Sequence, residues 1–411
     1  MAKAQEVLIN VLEKISLDPK EEKRINEVAK KVISKIKKLG LKSEIGGSLA
    51  KKTLIKKPKQ DVDLFVQLKD KKDLDKFYSK IKTLDLEGQF LHGSRDYYTF
   101  NTEGVQFEII PIVKFKKPEL AENVTDFSLT HVNFIKKEIN KNKKLANEIK
   151  LAKAFCHAQN VYGAESYIGG FSGYALEVLV CHYGSFPNLL KNVSKEKIID
   201  PKKQFKNKND IMRELNQSKL TSPIILIDPT YKYRNVCAGL SQDTFDEFLK
   251  SAEEFLAKPS EEFFIKKEFN SEKFFEKAKK QNNTAIKLSF ATEKQEGDIA
   301  GTKMKKLFKF FLEELERKEQ NVVESEFIYE KGQNSVAYLS IKIKPELEIQ
   351  GPKNISEMKE AIEKFKKVRG KIYFSKGFAM AKEKFNLEDF FKKQTETALS
   401  MKVGFDWEQI I

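Results

Sequence analysis

The chain has 411 residues, room for about three domains at roughly 150 residues each, and its 40% hydrophobic and 11% aromatic content excludes a disordered or fibrous protein. Lys and Arg number 76 against 60 Asp and Glu, and the resulting +16 favours polyanionic partners, nucleic acid before a membrane surface, unless it reflects only a solvated lysine surface. Cys156, Cys181 and Cys237 are too scattered for a disulfide framework or a CxxC site, and the histidines form no HExxH or close pair, which leaves carboxylates as the ligands of any metal.

The opening MAKAQEVLIN meets charge too early for a signal peptide, and no apolar run approaches the roughly 18 residues that span a bilayer, so a cytoplasmic location without a membrane partner is expected. The first clear element is a helix from Asp18 to Leu39. Asp18, Pro19 and Glu21 form an N-cap, N1 and N3 set, Ile25, Val28, Ala29, Val32, Ile33 and Ile36 recur at helical spacing, and Gly40 closes the helix. A short strand near Glu44 leads to a Gly46-Gly47-Ser48 turn and a helical stretch from Leu49. Strands at 62–68, 97–99 and 105–113, with an amphipathic segment at 72–82, complete a small α/β unit. From Asn147 to Leu190 the pattern predicts two buried helices broken by Gly163 and Gly169-Gly170. A Lys-rich stretch, a short apolar run at 224–227 and a helix from Ser241 to Ala257 follow. Beyond Pro259 a helix at 302–317 and strands at 326–330, 336–344 and 371–374 predict an α+β region.

The chemistry concentrates in GGSLAKKTLIKKPKQDVDLFV, residues 46–66. Side chains alternate along a strand, so Asp61 and Asp63 share one face while Val62 and Leu64 enter the core. Two carboxylates in one small space repel each other unless a divalent cation sits between them, and hard oxygen donors suit Mg²⁺. Glu108, a lone acid in the apolar VQFEIIP, is an odd choice for a core strand unless it faces the same cation. Three carboxylates on adjacent strands can hold two metals about 3.5–4 Å apart, the arrangement that activates a 3′-hydroxyl and stabilises departing pyrophosphate. Gly47-Ser48 supplies backbone N–H groups and a hydroxyl for phosphate oxygens, with Lys51 one turn on. A DxD alone is most often a solvated edge and a GGS a plain turn; together, followed by a third acid, they are far more specific.

The GSLAKKT and DVD segments resemble the nucleotidyltransferase superfamily. VYGAESYIGGFSGYALEVLVCHYGSF, with LAKAF before it and DPTYKYRNVCAGLS after it, resembles the archaeal (class I) CCA-adding tRNA nucleotidyltransferases over about residues 40–260. The resemblance implies a multidomain α+β fold: a polymerase-beta-like α/β catalytic head at 1–145, a helical neck or nucleotide-selecting domain at 146–258, and an α+β body and tail at 259–411 that bind tRNA. It implies Mg²⁺ and the template-independent addition of C, C and A to a tRNA 3′ end from CTP and ATP, with contacts to the acceptor stem and T arm. The assembly stays open, with a homodimer as one form.

Carried over by motif, Asp61, Asp63 and Glu108 are the catalytic, metal-binding carboxylates; Gly47, Ser48, Lys51, Ser128, His131, Lys153 and Tyr162 bind the nucleotide; and Arg234 reads the base. The alternative for Arg234 is a core-capping pair with Asp228, and for Tyr162 and His131 ordinary packing or capping. The chain departs from the family's pattern at Lys51, where the family has Arg, a group with a different fork of donors. It departs again in the order Asp, Asp, Glu of its acids and at Ser94-Arg95-Asp96-Tyr97, where an acidic-His-Pro-Tyr run is usual. Two other readings stand beside CCA addition: a CC-only or poly(A) tailing enzyme, and a non-catalytic RNA-binding relative, against which the intact acids argue.

Overall fold

The structure is a computed structural model that describes residues 2–57, 59–330 and 332–411. The chain divides into two compact units, Met1–Ala164 with Ile168–Lys267, and Glu165–Tyr167 with Glu268–Ile411. The mixed α and β architecture is the expected fold class.

The first unit opens with α1 (Ala2–Ile15), a helix ahead of the first one predicted. Its Leu8 and Val11 are buried against the helical core described below, a long-range contact with no local signal. Then comes α2 (Pro19–Lys38), with Asp18 accepting from Lys20 N as expected; Glu21 holds Arg24 instead of closing a capping box. The next elements are β1 (Ser43–Ile45), α3 (Gly47–Lys51), β2 (Gln60–Leu68), α4 (Asp73–Ile81), β3 (Gly88–Leu91), β4 (Tyr97–Thr102) and β5 (Val105–Val113). The strands form one sheet in the order β1-β2-β5-β4-β3, with β2 and β5 parallel at its centre. β3 was not anticipated, because an exposed edge strand lacks the alternation that betrays a half-buried one. Val62, Leu64, Val66, Phe107 and Ile109 pack with the buried face of α2 into one core.

Four helices, α5 (Ser128–Lys141), α6 (Leu145–Ala158), α7 (Gly173–Tyr183) and α8 (Phe186–Asn192), form a second core with α1 and with the later helix 242–257. Between α8 and α10 (Gln242–Ala257) lie β6 (Ile198–Ile199), α9 (Lys208–Glu214), β7 (Ile225–Asp228) and β8 (Tyr231–Asn235), the strands joined as β6-β7-β8. Ser241 caps α10 through Thr244 N, as its position predicts.

The second unit carries α11 (Ser271–Lys280), β9 (Thr284–Ala291), α12 (Gly297–Arg317), β10 (Asn321–Tyr329), β11 (Asn334–Lys342), β12 (Glu346–Lys353), α13 (Lys359–Arg369), β13 (Ile372–Ser375), β14 (Phe378–Lys384), α14 (Leu387–Ser400) and β15 (Gly404–Gln409). Its antiparallel sheets run β10-β11-β9-β15 and β12-β14-β13. α12 starts five residues earlier than the 302–317 pattern predicts, since Asp298 anchors its first turn by accepting from Ser166 N and Thr302 Oγ1.

Candidate active site

Parallel pairing sets Asp61 beside Gln106 and Asp63 beside Glu108, so the three acids stand on one face of two neighbouring strands while Val62, Leu64, Phe107 and Ile109 fill the other. Gly46 N donates to Asp63 O at 2.8 Å, which lays the glycine turn against the strand. Gly47 has φ +54°, and a Cβ there would lie 1.7 Å from Asp63 Oδ2; only glycine fits. Burial raises the Asp63 pKa, the Asp61 charge adds to the rise, and Lys51, Lys153 and Lys57 oppose it. Asp61 turns to Lys57 at 3.5 Å. Among the described residues no three His, Cys, Asp or Glu side chains form a group that could hold a metal ion, so the strands align the acids without drawing them together. The donor set of carboxylates on one strand face nonetheless suits a hard divalent cation, whose charge would offset the burial, and the smaller repulsion from Asp61, that disfavour an ionised Asp63.

Ser48 lies in α3, a helix of five residues. So short a helix has little macrodipole, and any hold on phosphate there comes from the turn's own N–H groups and the hydroxyl.

Lys51 and Lys153 meet on a residue the sequence reading passed over. Glu177, on α7, is fully buried and receives Lys51 Nζ on Oε2 and Lys153 Nζ on Oε1, each at 2.7 Å; Lys153 Nζ also donates to buried Thr53 Oγ1 at 3.1 Å. Burial pushes the Glu177 pKa up, and the two ammoniums more than reverse that and hold it below the usual range. Burial pulls Lys153 below the ordinary lysine value against the attraction of Glu177. The signal in YALEVLV was a lone acid in an apolar helix, the same oddity that drew attention to Glu108.

His131 and Arg234 converge on Asp228, whose side chain is fully buried. His131 Nε2 lies 3.0 Å from Asp228 Oδ2, and Arg234 Nη1 donates to the same oxygen at 3.0 Å while lying 3.1 Å from His131 Nε2. Tyr174 OH donates to Oδ1 at 3.0 Å, joined by Thr230 N at 2.8 Å and Thr230 Oγ1 at 2.7 Å. The His131 ring stacks on Tyr174 with centroids 3.9 Å apart. Burial raises Asp228, but His131 and Arg234 hold it far below the carboxylate range, while burial pulls His131 down. The pairing of Arg234 with Asp228, the alternative the sequence allowed, is therefore present.

Ser128 opens α5, the helix that carries His131. The preceding segment is tied to the unusual Ser94-Arg95-Asp96 run. Arg95 grips Asp126 with both terminal nitrogens and donates to Pro111 O at 3.2 Å, Asp126 accepts from Val113 N at 2.7 Å, and Ser94 Oγ lies 2.7 Å from Thr125 Oγ1. Tyr162 stacks on His157 with centroids 3.8 Å apart.

The family model described as tRNA nucleotidyltransferase, second domain, matches residues 147–265. A CCA-adding enzyme of Nanoarchaeum equitans is 33% identical over 330 residues, 79% of this chain and 79% of its own length. Those of Methanocaldococcus jannaschii (30% identical; 74% of this chain, 71% of the relative) and Thermococcus kodakarensis (31%; 64% and 60%) are also similar. A solved structure of the RNA terminal uridylyl transferase Cid1 superposes with a TM-score of 0.52 at 13% identity, covering 66% of this chain and all of that one. A cytoplasmic RNA terminal U-transferase gives 0.50 at 15%. Those two likenesses show the fold alone. Identity of 33% sustained over 330 residues, well beyond the 40–260 stretch where the motifs lie, is more than a shared fold leaves behind, and the chain belongs to the family of CCA-adding enzymes.

Proposed function

We propose that this enzyme adds C, C and A to the 3′ end of tRNA without a nucleic-acid template, consuming CTP and ATP and releasing pyrophosphate. The observation that carries the reading is the alignment of Asp61, Asp63 and Glu108 on one face of β2 and β5 against the Gly47 turn, in a chain of the CCA-adding family. Asp61, Asp63 and Glu108 would hold divalent cations, Mg²⁺ by the hardness of their oxygens, and when bound these supply charge neutralisation for the 3′-hydroxyl and the pyrophosphate. The protein's own groups do the rest. The N–H groups of the Gly46-Gly47-Ser48 turn and the Ser48 hydroxyl receive phosphate oxygens, and Lys51 and Lys153 balance the triphosphate charge. Ser128, His131 and Tyr162 complete that cradle. Arg234, fixed through Nη1 on Asp228, presents its planar fork to the base. The same reading divides the chain into a catalytic head at 1–145, a nucleotide-selecting part at 146–258 and a tRNA-binding part at 259–411.

Extension of a tRNA transcript lacking its 3′ CCA, with each NTP singly and in pairs, tests this. CTP alone adds two residues, and ATP with CTP completes one CCA. A homopolymer of A or U assigns the chain to the tailing enzymes, and termination at CC removes the final step.

A further inference from the structure

We propose that Glu177, with Thr53, is a positioning residue for nucleotide binding: it fixes the ammoniums of Lys51 and Lys153 in one arrangement before the triphosphate arrives. The proposal rests on the reading of those two lysines as triphosphate contacts.

Glu177 lies among the buried Leu176, Val178, Leu179 and Val180 of α7, where an unpaired carboxylate is not tolerated. Each of its oxygens takes one ammonium at 2.7 Å, so one carboxylate joins Lys51, at the end of the short helix beside the sheet, to Lys153 on α6. Thr53, wholly buried, gives Lys153 its second fixed partner. As a source of stability this cluster is a poor choice, since apolar residues of similar volume generally serve as well or better than buried charge. As a device for positioning it is apt. Lysine stems are flexible, and two like charges near each other separate unless an anion lies between them. The three side chains sum to +1, and Lys51 ends the five-residue helix whose first residue, Gly47, packs on Asp63, so both ammoniums act on that carboxylate. Prearranged charge spares the nucleotide the cost of ordering it on binding.

Steady-state kinetics of Glu177→Gln, Thr53→Val and Lys153→Met, with folding followed by circular dichroism, test the proposal. Glu177→Gln raises KM for CTP about 10-fold and the isosteric Thr53→Val about 3-fold, with kcat and KM for tRNA within about twofold of wild type. If Glu177→Gln does not fold, Thr53→Val decides. A folded Glu177→Gln enzyme, or Thr53→Val, with the wild-type KM for CTP overturns the proposal. If Lys153→Met raises that KM while neither of the other two does, positioning alone fails; if Lys153→Met leaves it unchanged, the triphosphate reading of Lys153 fails and takes the proposal with it.

Discussion

At Gly47 the backbone and the chemistry constrain each other. An added methyl would collide with the Asp63 carboxylate and strain a φ of +54°, so Gly47→Ala must displace either the turn or the acid. A shift of about 1 Å in such a group costs about 100-fold in rate, and single-turnover addition on a CCA-less tRNA should show at least that loss with tRNA affinity nearly intact. Asp63→Asn should abolish addition with the same preserved affinity; full activity of the amide would remove Asp63 from the catalytic set. His157 gives a test of a different kind. Burial holds its pKa down to about 4, so the folded form stays neutral where the unfolded chain, with a value of 6.5, takes up a proton. The stability this contributes is complete above pH 6.5 and is lost as the pH falls from there toward 4; the shift corresponds to about 3 kcal/mol, about 2 kcal/mol after allowance for the partial exposure of the ring. His157→Phe keeps a ring against Tyr162 and removes the titration. Urea midpoints measured at pH 7.5 and 4.5 should therefore diverge less in the variant than in the wild type, and equal losses would contradict the assignment.

Among the elements, the join between β4, β5 and the turn ahead of α5 centres on a buried pair. Arg95 comes from the loop before β4, Asp126 from the turn before α5, and their side chains are only 8% and 2% exposed. Removing one partner of such a pair leaves the other charge buried, at a cost of about 3–5 kcal/mol. Arg95→Leu should lower the unfolding free energy by about that amount, and because α5 carries Ser128 and His131, KM for the nucleotide should rise as well. A variant of wild-type stability would show that the pair is solvated in solution. Ser94 adds a second contact beside the pair, so the run before β4 is tied at two points to the turn ahead of α5. The element-level reading was soundest where capping and periodicity coincide, as at Asp18 with α2 and Ser241 with α10. It predicts no element at α1, at the exposed edge β3 or at α5, and beyond Pro259 none at α11, β9, β12, α13, β14, α14 or β15.

For the whole molecule, the charge of +16 sets the terms of tRNA binding. If the lysines at 141–144, 202–208 and 303–309 neutralise phosphates, affinity falls with salt on a log–log slope of about 0.7–0.9 per phosphate. The structure sorts these lysines. Lys305 Nζ donates to Tyr167 O at 2.6 Å, and Lys141 and Lys202 both pair with Glu138. Lys306 is exposed. Lys303→Ala with Lys306→Ala should therefore reduce the slope without loss of stability, whereas adding Lys305→Ala should lower the melting temperature. An unchanged slope in the double variant would mean a solvated lysine surface. Because A-form RNA is met mainly through backbone and shape, a minihelix of acceptor stem and T arm should be extended far better than an unstructured oligonucleotide with the same end. Among the described residues no helix is long and apolar enough to cross a membrane.

The sequence by itself determined whatever depends on neighbours along the chain. The two-residue period of a strand puts Asp61 and Asp63 on one face whatever the rest of the protein does, and a glycine turn ahead of them needs no distant partner to be recognised. Glu108 and Glu177 were visible only as acids in apolar company, because the sequence records that a buried charge must be compensated and not by what. The tertiary structure supplied the partners: the parallel register that sets Glu108 beside Asp63, the two ammoniums on Glu177, and the contacts through which Asp228, already held by Thr230 and Arg234 of its own hairpin, gathers His131 from α5 and Tyr174 from α7. The long-range pairings among these, of Glu177 with Lys51 and of Asp228 with His131 and Tyr174, link residues up to 126 positions apart, and no local propensity encodes them; they exist because packing of the sheet and helices brings the groups together where water cannot compensate them.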